Sequence, residues 1–236
     1  MASLKIIHGG GLTSCLTVIL HEVSKWHKMT GEWPDSIDAS RSFITCKDSP
    51  SQDLSTLLLR PSSKQKGPHI HFDHGQQYAH PKNLPIADLH ELARSYAWPS
   101  QQVGDRAYNI TKVRGNRTCV IYRGNDKATE IRPTPYEKMF DAAEQAGGPY
   151  MLLTDEKEFF NAFMEHFPDT ISAPGSMQIP SNQSKVITGN SSFAVNFLAT
   201  LYSFAGADKL VSTTGNTGLW PAIWRGTADG VAQVHP

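Results

Sequence analysis

The sequence predicts an α/β protein in which helices cross over parallel strands, and three observations predict it. The chain opens as strand, glycines and helix: Leu4-Lys5-Ile6-Ile7, then His8-Gly9-Gly10-Gly11, then a stretch with apolar residues at helical spacing. Its second half alternates short apolar runs with amphipathic segments, the order that lays crossover helices over a parallel sheet. Two of those runs end in polar turns, at 123–130 and 212–218, and ligands of open parallel sheets bind at the strands' carboxyl ends.

The whole-chain numbers bound the answer. With 236 residues, 39% hydrophobic and 19% charged, the chain is long enough for a real core and ordinary in composition. Lys plus Arg equals Asp plus Glu at 22 each, so there is no global field to draw in nucleic acid or an acidic membrane surface. Cys15, Cys46 and Cys119 form no CxxC pair and cannot all be bridged, which suits a reducing compartment. No run approaches the apolar length of a transmembrane span, and the first residues are too short for a signal peptide, so the expectation is a cytosolic protein.

Taken in order, Leu12 to Lys28 carries Leu12, Leu16, Ile19, Leu20, Val23 and Trp26 on one helical face. The preceding glycines let a ligand approach the backbone at that helix N-terminus, or simply make a tight turn. Gly31 to Ser36 reads as turn chemistry and Phe43-Ile44-Thr45-Cys46 as a second strand. From Lys47 to Gly67 a polar loop surrounds one apolar island, Leu54 to Leu59, with room for a short helix. Leu84 to Trp98 is helical and stops at Pro99. Ser100 to Gly115 is mixed and polar, and marks the boundary between halves at 1–114 and 115–236.

The second half begins with the strand Thr118 to Tyr122, whose end releases Arg123-Gly124-Asn125-Asp126-Lys127 and Glu130. An arginine there faces the crevice with a fork that matches phosphate, or else pairs with an aspartate in a surface turn. Pro135 to Ala146 is a helix, Tyr150 to Leu153 a strand, and Glu156 to Phe167 a helix capped by Thr154 or Asp155. Lys185 to Ile187 reads as a strand, Ser192 to Ala205 as a helix and Lys209 to Val211 as a strand. Ser212 to Gly218 then opens a final helix at Leu219 to Trp224, whose Trp220 and Trp224, like Phe193, belong in the core.

One motif points elsewhere. His69, His71, Asp73 and His74 spell HxHxDH, the ligand signature of metallo-β-lactamase-like zinc hydrolases. That signature belongs at the end of an apolar strand, whereas here it follows a Ser/Lys-rich stretch. His80, His90 and His166 are the further histidines such a site would have to recruit.

Arg123-Gly124-Asn125-Asp126-Lys127 with Glu130 resembles the Arg-Arg-x-Asp-Lys-…-Glu motif of the α1,6-fucosyltransferase and nodulation fucosyltransferase group. Pro135-Tyr136-Glu137-Lys138-Met139, Leu152-Leu153-Thr154-Asp155 and Ala207-Asp208-Lys209-Leu210-Val211-Ser212-Thr213 follow in that group's order, so the likeness spans residues 118 to 220. The resemblance implies two Rossmann-like domains facing a cleft, a compact GT-B glycosyltransferase whose second domain holds a nucleoside diphosphate sugar, with GDP-fucose the expected donor and a glycan the acceptor. It implies inverting transfer with no divalent metal, Arg123 gripping the diphosphate, Glu130 as general base and Asp126 orienting the loop or binding the donor. Gly10, Gly11, Lys127, Asp155, Thr213, Thr214, Asn216 and Thr217 complete the implied donor site. The chain departs from that pattern at Ile121, Gly124 and Asn216, where the group carries histidine, a second arginine and serine. A zinc hydrolase on the HxHxDH cluster, and a fold remnant that binds nucleotide or glycan without turnover, are the alternative readings.

Overall fold

The computed structural model describes residues 2–64, 70–124, 132–177 and 190–236. Its centre is a five-stranded, all-parallel sheet of β3 (Thr118–Tyr122), β4 (Tyr150–Thr154), β5 (Ile171–Ser172), β6 (Leu210–Thr213) and β7 (Val231–Val234), in the order β5-β4-β3-β6-β7. The order reverses between β3 and β6. That is the topological switch point, where the loops leaving two adjacent strands part to opposite sides and open a crevice.

Both faces of this sheet are covered, and the side chains show it by alternating. Cys119 and Ile121 of β3 face one core with helices α1 (Leu12–Thr30), α3 (Ile86–Tyr96), α7 (Ser191–Ala205) and α8 (Asn216–Arg225). Val120 and Tyr122 face a second core with α5 (Tyr136–Ala146) and α6 (Lys157–His166), rich in stacked aromatics such as Tyr122 on Phe159. Every residue of β3 and β4 is buried, which is why both read as continuous apolar runs.

A separate two-stranded parallel sheet joins β1 (Ser3–Lys5) to β2 (Ser36–Asp38). The second strand is therefore not Phe43 to Cys46. Phe43 sits at φ 59°, a left-handed conformation that ends extended backbone, and Ile44–Cys46 is a turn of 3-10 helix. The island at Leu54 does form a short helix, α2 (Leu54–Leu58), with Asp53 accepting the Ser55 N–H.

The polar stretch 100–115 is likewise a helix, α4 (Gln101–Arg114), capped by Ser100 and packed on α7. Its buried residues, Val103, Ala107, Ile110 and Arg114, form one narrow stripe among polar neighbours. The cap of α6 also differs from expectation. Glu156 is the capping residue and makes no side-chain cap bond; its carboxylate accepts from the Tyr136 hydroxyl, and that of Asp155 pairs with Arg123. Strands β5 and β7, two and four residues long, carry no sequence signal, and the segment 185–187 lies outside the described residues. No helix among the described residues is long and apolar enough to cross a membrane.

Candidate functional site

A cavity of about 600 Å³ opens at the switch point, and its walls come from both halves of the chain. Its floor is made by two helix N-termini. Helix α1 starts at Gly11 and α8 at Gly215; neither cap supplies a side-chain hydrogen bond, and neither first turn holds an acidic residue. Each end therefore aims uncapped N–H groups and about half a positive charge into the same space. The two ends touch, with Thr13 Oγ1 3.3 Å from Thr217 Oγ1. A Cβ on Gly11 would meet nothing within 4 Å, so that glycine leaves the cavity side of α1 open. Gly10 has a different reason: a Cβ there would stand 2.4 Å from His8 Nε2.

Arg123 lines the same cavity from the end of β3. Three bonds fix it and its neighbour. Its backbone N–H donates to Thr213 Oγ1 at 3.3 Å, its Nε lies 3.0 Å from Asp155 Oδ2, and the Gly124 N–H donates to Asp155 Oδ1 at 3.2 Å. Asp155 is buried, so this ion pair is held where water screens it little. The aspartate that orients the arginine is thus the one ending β4.

Gly124, where the resembled motif has a second arginine, is dictated by its surroundings. A Cβ there would lie 1.7 Å from Glu156 Oε2 and 2.5 Å from Tyr122 Cε1. Glu156 is buried and accepts a hydrogen bond from the Tyr136 hydroxyl. Burial raises its carboxyl above the usual range, against the opposing pull of the Tyr136 bond.

The remaining wall pairs apolar and polar groups. Leu153, Met177, Phe193 and Phe197 supply the apolar side. Phe193, expected in the core, is only partly buried and shows a face to the cavity, whereas Trp220 and Trp224 are core residues. His8, Ser14, His74 and Gln77 supply the polar side, and Ser14 Oγ stands between His8 Nε2 at 2.8 Å and His74 Nε2 at 3.4 Å.

Of the residues named from sequence, Gly10, Gly11, Arg123, Asp155, Asn216 and Thr217 share this cavity wall. Thr213 holds the Arg123 backbone from behind it, and Thr214 is buried. Asp126, Lys127 and Glu130 lie outside the described residues, as does His69. Asp73, read as a metal ligand, instead caps the turn His74–Tyr78, while His71 is exposed. No group of three or more His, Cys, Asp or Glu among the described residues is placed to hold a metal.

His8, Ser14, Gln77, Tyr136 and Glu156 went unread as site residues. His8 carried the one available signal, its place beside the triple glycine. All three cysteines are buried and unbridged, and burial pushes the Cys15 and Cys119 thiols up to about 12, so they are unreactive at neutral pH.

No protein-family model matches this sequence, and no curated protein matches it. The fold places it among α/β proteins with the GT-B-like architecture. It is similar to crystal structures of NodZ α1,6-fucosyltransferase. The structure soaked with GDP-fucose superposes with a TM-score of 0.59 at 12% identity over 94% of this chain and 92% of that one. The structure co-crystallised with GDP gives 0.56 at 13% identity over 95% and 91%. Fucosyltransferase NodZ from Bradyrhizobium gives 0.55 at 13% over 95% and 92%.

Proposed function

We propose that this protein is a glycosyltransferase that binds a nucleoside diphosphate sugar in the cavity between the α1 and α8 N-termini, with GDP-fucose the first donor to test. The observation that carries this reading is the convergence of two uncapped helix ends and Arg123 on one cavity, in a chain that shares the fold of a fucosyltransferase crystallised with GDP and GDP-fucose. A diphosphate is the ligand whose two anionic groups match two N–H clusters and a guanidinium.

In this reading the diphosphate lies over Gly10, Gly11, Asn216 and Thr217, and Lys127 contributes to binding the donor. Arg123, held by Asp155 and Thr213, stabilises the charge that grows on the leaving phosphate oxygen and so supplies what a divalent metal supplies elsewhere. Residues 115–236 carry most of the donor site, completed by Gly10 and Gly11, while the rest of 1–114 presents the acceptor glycan. Inversion follows from direct attack of an acceptor hydroxyl on the anomeric carbon.

A second reading, binding without turnover, is favoured by Glu156, whose carboxyl fills the space beside Gly124 where the resembled motif carries a cation. The first experiment is thermal stability of the full chain against GDP, UDP, CDP, ADP and dTDP, with chelator and with zinc. A selective GDP shift that survives chelator is expected, since a ligand bound only by the folded state raises its midpoint. A shift from zinc alone, with none from any nucleotide, overturns the reading and returns attention to His69, His71, Asp73 and His74.

A further inference from the structure

The polar wall of the cavity is the end of a longer chain of hydrogen bonds whose direction can be read from its buried end. Trp220 is fully buried, and its indole N–H, which can only donate, reaches Thr17 Oγ1 at 3.0 Å. Thr17 has one hydrogen for two acceptors, Asn216 Oδ1 at 2.7 Å and the Thr13 carbonyl at 3.1 Å, and the nearer is Asn216. With that hydrogen on Asn216 Oδ1, the Asn216 Nδ2 donates to Gln77 Oε1 at 2.6 Å. The Gln77 amide nitrogen is thereby turned to His74 Nδ1, at 3.5 Å. A His74 ring that accepts at Nδ1 carries its hydrogen on Nε2 and directs it to Ser14 Oγ. Ser14 then turns its own hydrogen to His8 Nε2 at 2.8 Å.

In this arrangement every bond runs from the core toward the cavity, and the last two residues form an O–H donating to an imidazole nitrogen. Ser14 Oγ has two acceptor positions, of which His74 uses one, and Ser14 lines the cavity. We propose that Ser14 and His8 are the proton-accepting pair for the hydroxyl that attacks the donor sugar, a role that rests on the transferase reading above. The attacking hydroxyl donates to Ser14 Oγ. As its oxygen bonds the anomeric carbon, the bond from that carbon to the diphosphate oxygen breaks. The hydroxyl's proton passes to Ser14, and Ser14's own proton passes to His8 Nε2. The products are the glycoside, the nucleoside diphosphate and a protonated His8, which returns its proton to water.

Ser14 is the catalytic residue of this pair; Gln77, Asn216, Thr17 and Trp220 are positioning residues. The groups around His8 suit the role. His74 faces it edge-on with ring centroids 6.1 Å apart, the Cys15 thiol donates to its carbonyl oxygen, and Cys46, Arg123 and Asp155 share the cavity wall. Burial first, and the neighbouring His74 second, hold the His8 imidazole below its ordinary range, so it is neutral and able to accept a proton at neutral pH.

The test uses the full chain and three readouts. In the ¹⁵N spectrum of histidine-labelled protein, His8 is expected as the Nδ1–H tautomer and His74 as the Nε2–H tautomer. GDP release from GDP-fucose, measured with a panel of free oligosaccharides, is expected to fall about 100-fold in H8Q and in S14A, with the low-pH limb of the rate profile gone in H8Q. Thermal stabilisation by GDP is expected to be unchanged in both variants. A His8 that carries its hydrogen on Nε2 overturns the proposal whatever the activity. So does an H8Q rate within about threefold of the parent with that limb intact. A parent chain that no nucleotide stabilises sinks the transferase reading along with it, whereas intact GDP stabilisation beside an unaffected H8Q sinks this proposal alone.

Discussion

The two helix ends that meet in the cavity are built to opposite plans. At α8 the first turn is sealed: Asn216 and Thr217 are each 5% exposed, and the Asn216 amide is committed at both ends to Thr17 and Gln77. At α1 the cap Gly11 is exposed, open space stands where its Cβ would be, and Ser14 and His8 beside it are only partly buried. One end is a fixed strut that offers N–H groups and little else. The other offers N–H groups together with a hydroxyl and an imidazole that can exchange a proton. A site that must both hold an anion and move a proton gains from keeping those duties on separate elements, because the strut can be rigid while the other end stays wet.

The largest way to break this comparison is to remove the cation that both ends share. Arg123→Ala is expected to lower transfer by about 10²- to 10³-fold, as loss of one positioned donor does elsewhere, and to reduce stabilisation by GDP. A parent protein with no transfer at all, yet a GDP shift that Arg123→Ala removes, would mark a binding module. Next comes the strut. Asn216→Ala leaves Thr17 and Gln77 without their buried partner and is expected to cost about 1–3 kcal/mol in urea unfolding.

A paired substitution sharpens the contrast. Gly215 sits at φ 119°, so Gly215→Ser adds backbone strain of about 1–3 kcal/mol. Gly11 has φ −64° with space around it, so Gly11→Ser supplies the missing cap and stabilises by about a few tenths of a kcal/mol. The same cap competes for the N–H groups of α1, so the GDP shift should shrink in a more stable protein. Equal effects at the two glycines would erase the distinction.

The smallest expected effect is read by pH. The Glu156 carboxyl is raised in the folded chain, so its neutral form is favoured there. Its contribution is fully present below the unfolded value of about 4.3 and is lost as pH rises through the folded value. Glu156→Gln should therefore match the parent at low pH and gain on it toward neutrality, measured as the difference in unfolding free energy across that range.

The sequence made the second half legible because its strands are buried on both faces and its helices are amphipathic. Arg123 was legible for the same reason, as the first charge after the run Thr118 to Tyr122. The first half resisted, since β1 and β2 are three residues each and α4 buries one narrow stripe. Asp155 was read as a helix cap because an aspartate after a strand usually is one; that it holds Arg123 depends on β3 and β4 being adjacent, which no local pattern encodes. The Ser14 and His8 pair was hidden more deeply. Its direction depends on a tryptophan 206 positions further along the chain than Ser14, which no spacing rule connects.

Those long separations bear on how the chain is made. Thr13 meets Thr217 across 204 positions, Thr17 meets Asn216 across 199, and Trp220 meets Thr17 across 203. On a ribosome adding about 5–20 residues each second, α1 emerges at least ~10 s before the partners of its buried hydroxyls exist. Until then Thr13 and Thr17 remain in water, and contacts this distant close slowly. The anion site is therefore among the last parts of the molecule to form. A nascent chain carries no competent pocket until its C-terminal helix has docked, so a nucleotide can select for finished protein over partial product.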